Sequence, residues 1–317
     1  MRIFDMLFQM IDLHTHSSIS DGDFSPALLV REAVKNGLGA IALTDHDTIN
    51  GLDSAKTEAA ACGISFIPGI EININWLGGR NLPRLGSGGE FHLLGLGIIA
   101  PTPAFTAAIT ELSRIREARN REILEKMHEL SIDITWEELL AEASGTNDSS
   151  GSPDQDIRNK VMIGHSIGRP HFASLLVKHK IVKNRNQAFA RYLRIGKPLY
   201  APKEGLAFDK AVSLIRDSGG IPVLAHPMSL FIAWGRLPGI ISELKERGLA
   251  GIEAWHPLAK TSSCFRLEVL ARSFDLYVTE GSDFHGLTRL NRKLGYSGRN
   301  RKIDDSVLAA IPELAQY

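Results

Sequence analysis

The stretch 11–22, IDLHTHSSISDG, places two histidines two residues apart at the end of a short apolar run and follows them with an aspartate and a glycine. Side chains alternate faces along a strand, so His14 and His16 point the same way and form a chelating pair. Asp21 follows, and Gly22 lets the chain turn and return that carboxylate toward the imidazoles. Alone, an H-x-H at a strand end is weak. The same residue types recur, however, as His46 in ALTDHD, Glu71 in PGIEIN, His92 in EFHLLG, His226 in LAHP, and Asp283 and His285 in SDFH. Histidines and carboxylates without a thiolate suit Mn²⁺, Fe²⁺, Zn²⁺ or Mg²⁺. One ion takes three or four protein ligands, so nine candidates suit two or three ions.

The elements that must position these residues are strands alternating with helices. Apolar runs leading to His14 and at 40–47, 66–74, 90–98, 221–227, 250–257 and 276–285 read as seven strands. Runs such as AIAL and IPVL are apolar at successive positions, as in a parallel sheet buried on both faces. The ionisable residues then fall at or near the C-terminal ends of six strands, where an α/β barrel builds its active site. Ser25-Pro26 opens a helix that Gly37 ends, and further helices are expected at 49–62, 208–218, 238–247 and 262–274.

Between the fourth and fifth strands, 103–200 shows no obvious strand. It carries a long charged amphipathic helix at 105–130, a capping box at Thr135–Glu138 and shorter helices at 170–178 and 186–193. The organisation expected is an all-helical insertion, 103–200, dividing a barrel into 1–102 and 201–317. The glycine-rich stretch 78–89 reads as a surface loop, 144–156 as a mobile polar stretch, and 1–9 as an extension without a structural role.

Lys plus Arg and Asp plus Glu both number 36, so no net charge draws the chain to nucleic acid or an anionic membrane, and phosphate binding must be local. Cys62 and Cys264 have no CxxC partner and read as buried thiols in a reducing compartment. No apolar run reaches membrane-spanning length. A soluble cytoplasmic protein without a stable protein partner is expected.

Taken together, HTHSSISDG, TDHDTINGL, PGIEIN, FHLLGLG, LAHP and SDFHG, with IGRPHFA and AFARYLRIGKPLYAP, resemble the polymerase and histidinol phosphatase (PHP) domain family. The likeness is nearest to its bacterial tryptophan-operon-associated phosphoesterase branch. The stretches 78–89 and that before Gly168 look longer than is usual there. The resemblance implies a distorted (β/α)7 barrel with a trinuclear centre, manganese foremost. It implies that His14, His16, Glu71 and Asp283 hold one ion, that His92 and His226 hold a second with Glu71 bridging, and that Asp21, His46 and His285 hold the third. Asp45 and Asp47 are left to orient imidazoles.

The resemblance also gives Arg169 and His171, in GRPHFA, to the substrate phosphate. His256, at a strand end, is a candidate phosphate ligand or general acid. His128, His165 and His179 read as surface residues. Arg114, Arg116, Arg119 and Arg121 read as a solvated helix face, with a nucleotide groove as the alternative.

The chemistry expected is in-line attack by a metal-bound hydroxide on a phosphate ester. The branch narrows this to the 3′-phosphate of 3′,5′-bisphosphonucleotides, with 5′-to-3′ trimming of short RNA or histidinol-phosphate hydrolysis as alternatives. Amidohydrolase chemistry is opposed by the lack of a strand-end lysine for a carbamate bridge, and a binding module that has lost its metals by the presence of all nine ligand candidates.

Overall fold

The apolar runs pair laterally into one curled sheet. The computed structural model describes residues 9–75, 89–144, 166–202, 205–287 and 289–317. Its strands are β1 (Met10–Asp12), β2 (Leu38–Leu43), β3 (Ser65–Asn75), β4 (His92–Leu96), β5 (Leu206–Ala207), β6 (Ile221–Leu224), β7 (Gly251–Trp255) and β8 (Tyr277–Glu280). The order is β1-β2-β3-β4-β6-β7-β8, with the two-residue β5 beside β3. The seven strands expected are the seven of the main path.

Their directions differ from expectation in one place, since β4 runs antiparallel to both β3 and β6. A parallel return needs a long crossover, usually a helix, and the short, aperiodic segment after β3 supplies none. His92 is therefore the first residue of its strand rather than near its end. It reaches the same rim because the strand points the other way.

The curl brings the last strand's extension back to the first. The His16 N–H donates to the Phe284 carbonyl at 2.9 Å, across a bridge between Thr15 and Phe284. The buried Asp12 carboxylate accepts from the Ser282 and Gly295 N–H groups at 3.0 and 2.7 Å. Inside the curl Ile11, Leu13, Ala42, Ile67, Leu94 and Val223 pack with Ile303, Leu308, Ile311 and Leu314 of the C-terminal segment. That segment closes one end of the barrel, and the ionisable residues occupy the other.

Outside the sheet lie α1 (Pro26–Lys35) and α2 (Leu52–Cys62). The Leu28 N–H donates to the Ser25 side chain, and Pro26 fills the first helical position, as the sequence requires. Cys264 is buried, but Cys62, in the last turn of α2 beside the left-handed Gly63 cap, is exposed, against expectation.

The helices between β4 and β5 are α3 (Pro103–Glu129), α4 (Trp136–Ser144), α5 (Arg169–Lys178) and α6 (Arg185–Ala188), which continues as a π turn through Phe189–Leu193. They pack around an apolar cluster of their own that includes Ile123, Met127, Leu139, Phe172, Leu176 and Leu193. Thr135 and Glu138 exchange the two bonds of a capping box at 2.9 and 3.2 Å. Residues 1–8, most of the loop 78–89, nearly all of 144–156, and His165 lie outside the described residues. Among the described residues no helix is long and apolar enough to cross a membrane.

Candidate metal centre

Tight turns at the strand ends aim the candidate ligands inward. His226, Asp283 and Asp47 adopt positive φ (27°, 50° and 52°), a conformation non-glycine residues hold only when their surroundings enforce it. Gly281 leaves the room His14 occupies, because a Cβ there would lie 2.3 Å from the His14 Cβ. Asp12 accepts the His14 N–H at 3.2 Å and so fixes where the strand ends.

Glu71 stands at the centre. Its Oε2 lies 3.4, 3.2 and 2.9 Å from His14 Nε2, His16 Nε2 and His46 Nδ1. Its Oε1 lies 2.6 and 2.8 Å from His92 Nδ1 and His226 Nε2. Asp283 Oδ1 approaches His16 and His14 Nε2 at 3.4 and 3.7 Å. Beside this group, Asp21 Oδ1 lies 3.0 Å from His285 Nε2 and 3.8 Å from His46 Nε2. The structure thus brings all nine candidates together, with Glu71 between the His14–His16–Asp283 side and the His92–His226 side, and with Asp21, His46 and His285 forming a third corner.

Four of these atoms, Asp21 Oδ1, His46 Nδ1, Glu71 Oε2 and His285 Nε2, are buried without a hydrogen-bond partner. Buried polar atoms are almost always satisfied, so four orphans side by side call for a missing group. The donor chemistry specifies a divalent cation. Potential ligand atoms fall into four groups each spanning no more than 4.8 Å: His16, Asp21, His46 and His285; His14, His226 and Asp283; His14, His16 and Glu71; and His46, Glu71 and His92.

Charge agrees with this assignment. Burial opposes ionising Glu71, yet the imidazoles of His46, His92 and His14 hold its carboxyl well below the usual range. For Asp283 the opposing groups are Arg292, His285 and His14. Burial alone would lower His14, but Glu253, Glu71 and Asp283 raise it well above an ordinary imidazole. His16 is likewise lifted to about 9, against burial, by Asp283 and Glu71. A field that favours protonated imidazoles favours any cation placed among them.

The rim opens into a cavity of about 210 Å³ lined by Asp21, His46, Glu71, His92, His226 and Asp283 on one side. Arg116, Arg119 and Arg169 come from the helices opposite. Arg169 donates to Glu90 at 2.9 Å. Two expectations need correction here. Arg116 and Arg119 are buried, Arg116 paired with Asp47, while Arg114 and Arg121 are exposed as expected. His256 is buried behind Asp283, 3.0 Å from its Oδ2, and is not among the residues lining the cavity, so the phosphate contact foreseen for it is not made.

His171 caps α5, its Nδ1 accepting the Gly168 N–H at 3.0 Å, and lines the adjoining 510 Å³ pocket. Asp45 accepts from the Ser17 N–H and from the Ser17 and Ser20 hydroxyls. Asp47 accepts from the Asn73 backbone and side-chain amides and from Arg116. Both carboxylates therefore brace the loops that carry ligands rather than the imidazoles.

The residue missed is Glu253. Its Oε1 lies 2.8 Å from His14 Nδ1, and its Oε2 accepts the His226 N–H at 2.7 Å, so one carboxylate orients ligands from two strands. The signal was available in GIEAW, a carboxylate inside an apolar strand, as for Glu71. Arg289 and Arg292 were also missed. They pair with Asp21 at 2.6 Å and Asp283 at 2.5 Å from a segment without periodicity.

A curled α/β barrel with this rim defines a metal-dependent hydrolase. The chain belongs to the PHP domain family, which matches residues 12–150. It is 32% identical over 300 residues to a 5′-3′ exoribonuclease of Haemophilus influenzae, covering 94% of this chain and 96% of that one. To a 3′,5′-nucleoside bisphosphate phosphatase of Chromobacterium violaceum it is 31% identical over 287 residues, covering 90% and 91%. A solved structure of an amidohydrolase from Chromobacterium violaceum, with bound sulfate and no metal, matches with a TM-score of 0.76 and 27% identity over 95% of this chain and 96% of that one. The chemistry is metal-dependent hydrolysis of phosphate esters.

Proposed function

We propose that the protein releases the 3′-phosphate of 3′,5′-bisphosphonucleotides, using two or three divalent ions, manganese foremost, held by His14, His16, Asp21, His46, Glu71, His92, His226, Asp283 and His285. The observation that carries this reading is the cluster of buried, unpartnered ligand atoms around Glu71, facing a small cavity whose opposite wall is cationic. The phosphatase relative and the sulfate bound in the related structure support it.

Divalent ions held there would supply an activated water and neutralise phosphate oxygens. The chain's own residues do the remaining work. Glu253 fixes the ring of His14, and Ser229 Oγ, 2.8 Å from His226 Nδ1, fixes that of His226. Arg169 reaches the cavity from the first turn of α5 and is placed to hold the substrate phosphate, while Phe189 and Leu258 keep its mouth apolar. His256 holds Asp283. The reading includes a cytoplasmic location, consistent with two unpaired cysteines.

One observation favours a second reading, 5′-to-3′ trimming of short RNA. A 710 Å³ groove shares Arg116 and Ser166 with the cavity and presents Arg114, Arg121 and Trp136, with the Arg121 guanidinium 4.3 Å over the Trp136 ring. Bases stack on such surfaces. Manganese-loaded protein, with bound metal quantified, should be assayed on adenosine 3′,5′-bisphosphate beside histidinol phosphate and a short 5′-phosphorylated RNA. Fastest release from the bisphosphate, with two to three ions per chain, is the result expected. Faster shortening of RNA would make the second reading the function, and a metal-free protein would remove both.

A further inference from the structure

We propose that Arg119, together with Arg169, forms a seat for a second, non-scissile phosphate, so that the cavity selects esters carrying two phosphates. The proposal rests on the phosphoesterase reading and adds a specificity residue to it.

Five guanidiniums line the cavity, and among the described residues four have carboxylate partners. Arg116 pairs with Asp47, Arg169 with Glu90 at 2.9 Å, Arg289 with Asp21 at 2.6 Å and Arg292 with Asp283 at 2.5 Å. Arg119 has none. Its residue is only 9% exposed, its Nε is buried without an acceptor, and its one side-chain bond is a long 3.4 Å contact from Nη2 to Asn120 of the same helix. Burial and the neighbouring charge of Arg169 lower its pKa to about 10, which leaves it a cation at neutral pH.

A buried charge without a counter-ion is destabilising, so the fold keeps one only where something negative arrives to complete it. The edge left open, Nε with the terminal amino groups, is the fork that binds a phosphate through parallel hydrogen bonds. This anion cannot be the scissile group alone. The reacting phosphate belongs to the ions around Glu71, on the opposite wall, whereas Arg119 projects from α3. A substrate with two phosphates, one at each wall, satisfies both. A monophosphate leaves Arg119 uncompensated.

The test compares kcat/KM of the manganese-loaded full chain on adenosine 3′,5′-bisphosphate and adenosine 3′-phosphate. Wild type should prefer the bisphosphate by about 100-fold, and Arg119→Gln should erase most of that preference by losing activity on the bisphosphate, as expected when one partner of a desolvated charge pair is removed. Arg119→Lys, which keeps the charge and loses the fork, should restore part of it. Ligand-free Arg119→Gln should unfold at a temperature no lower than wild type, whereas a merely structural arginine would lower it. Equal losses on both substrates would overturn the seat. If wild type releases phosphate from neither compound, the functional reading fails separately. The seat is then judged by thermal protection, because equal protection of wild type and Arg119→Gln by the bisphosphate would also overturn it.

Discussion

The two walls of the cavity are incomplete in opposite senses. On the barrel rim the unsatisfied atoms are carboxylate oxygens and imidazole nitrogens, ligand atoms that lack cations. On the helical wall the unsatisfied atom is Arg119 Nε, a donor that lacks an anion. Each deficit would be a fault in a structural core, where buried polar groups are paired. Facing each other across about 210 Å³ they are complementary, and a metal-bound phosphate ester is the kind of molecule that completes both. The contrast also separates roles, since the rim governs whether reaction occurs and the helical wall governs what is admitted.

The largest effect that can break this division belongs to the rim. His226→Ala and Asp283→Asn should each lower kcat by about 1,000-fold or more and reduce bound metal. Retained turnover and metal in both variants would refute the assignment of the centre. Next, Glu253→Gln should weaken metal binding by about 10- to 100-fold, read by titration with a chelator, because His14 and His226 lose their common support. On the other wall, Arg169→Ala should raise KM by about 10-fold while leaving metal content unchanged, and an unaltered KM would remove Arg169 from the site.

The smallest effect lies outside both walls and shows what a carboxylate does in burial without a ring of histidines. Burial pushes Glu280 from 4.5 up to about 7, against the ion pair with Arg301 at 3.0 Å and the hydrogen bond from Ser297. The folded chain then holds the proton more tightly than the unfolded one. The contribution is full below pH 4.5 and is lost as pH rises through 7. Glu280→Gln should therefore raise stability near pH 8 by on the order of 2 kcal/mol and leave it little changed near pH 4, as measured by denaturant unfolding.

The rim was legible because its chemistry demands uncommon residue types at strand ends. Two histidines in HTH and a glutamate inside PGIEIN stand out against apolar surroundings. The helical wall was not. Arginines at 114, 116, 119 and 121 read alike whether a helix face meets solvent or a cavity, and only the packing of α3 against the barrel separates the buried pair from the exposed one. The reversed β4 was hidden for a related reason, since an apolar run has no direction. Glu253 shows the opposite failing: its signal equalled that of Glu71, but no histidine adjoined it in the chain.

The bonds that secure the first strand to the end of the sequence bear on synthesis. Asp12 is anchored by Ser282 and Gly295, the Ile11 N–H by the Ile303 carbonyl, and the loop of His16 by Phe284. A chain leaving the ribosome from its N-terminus carries His14 and His16 for nearly its whole length before these anchors emerge. Metal uptake therefore belongs to the finished polypeptide, and a truncated product lacks the hydrolytic centre although most of its ligands have already been made.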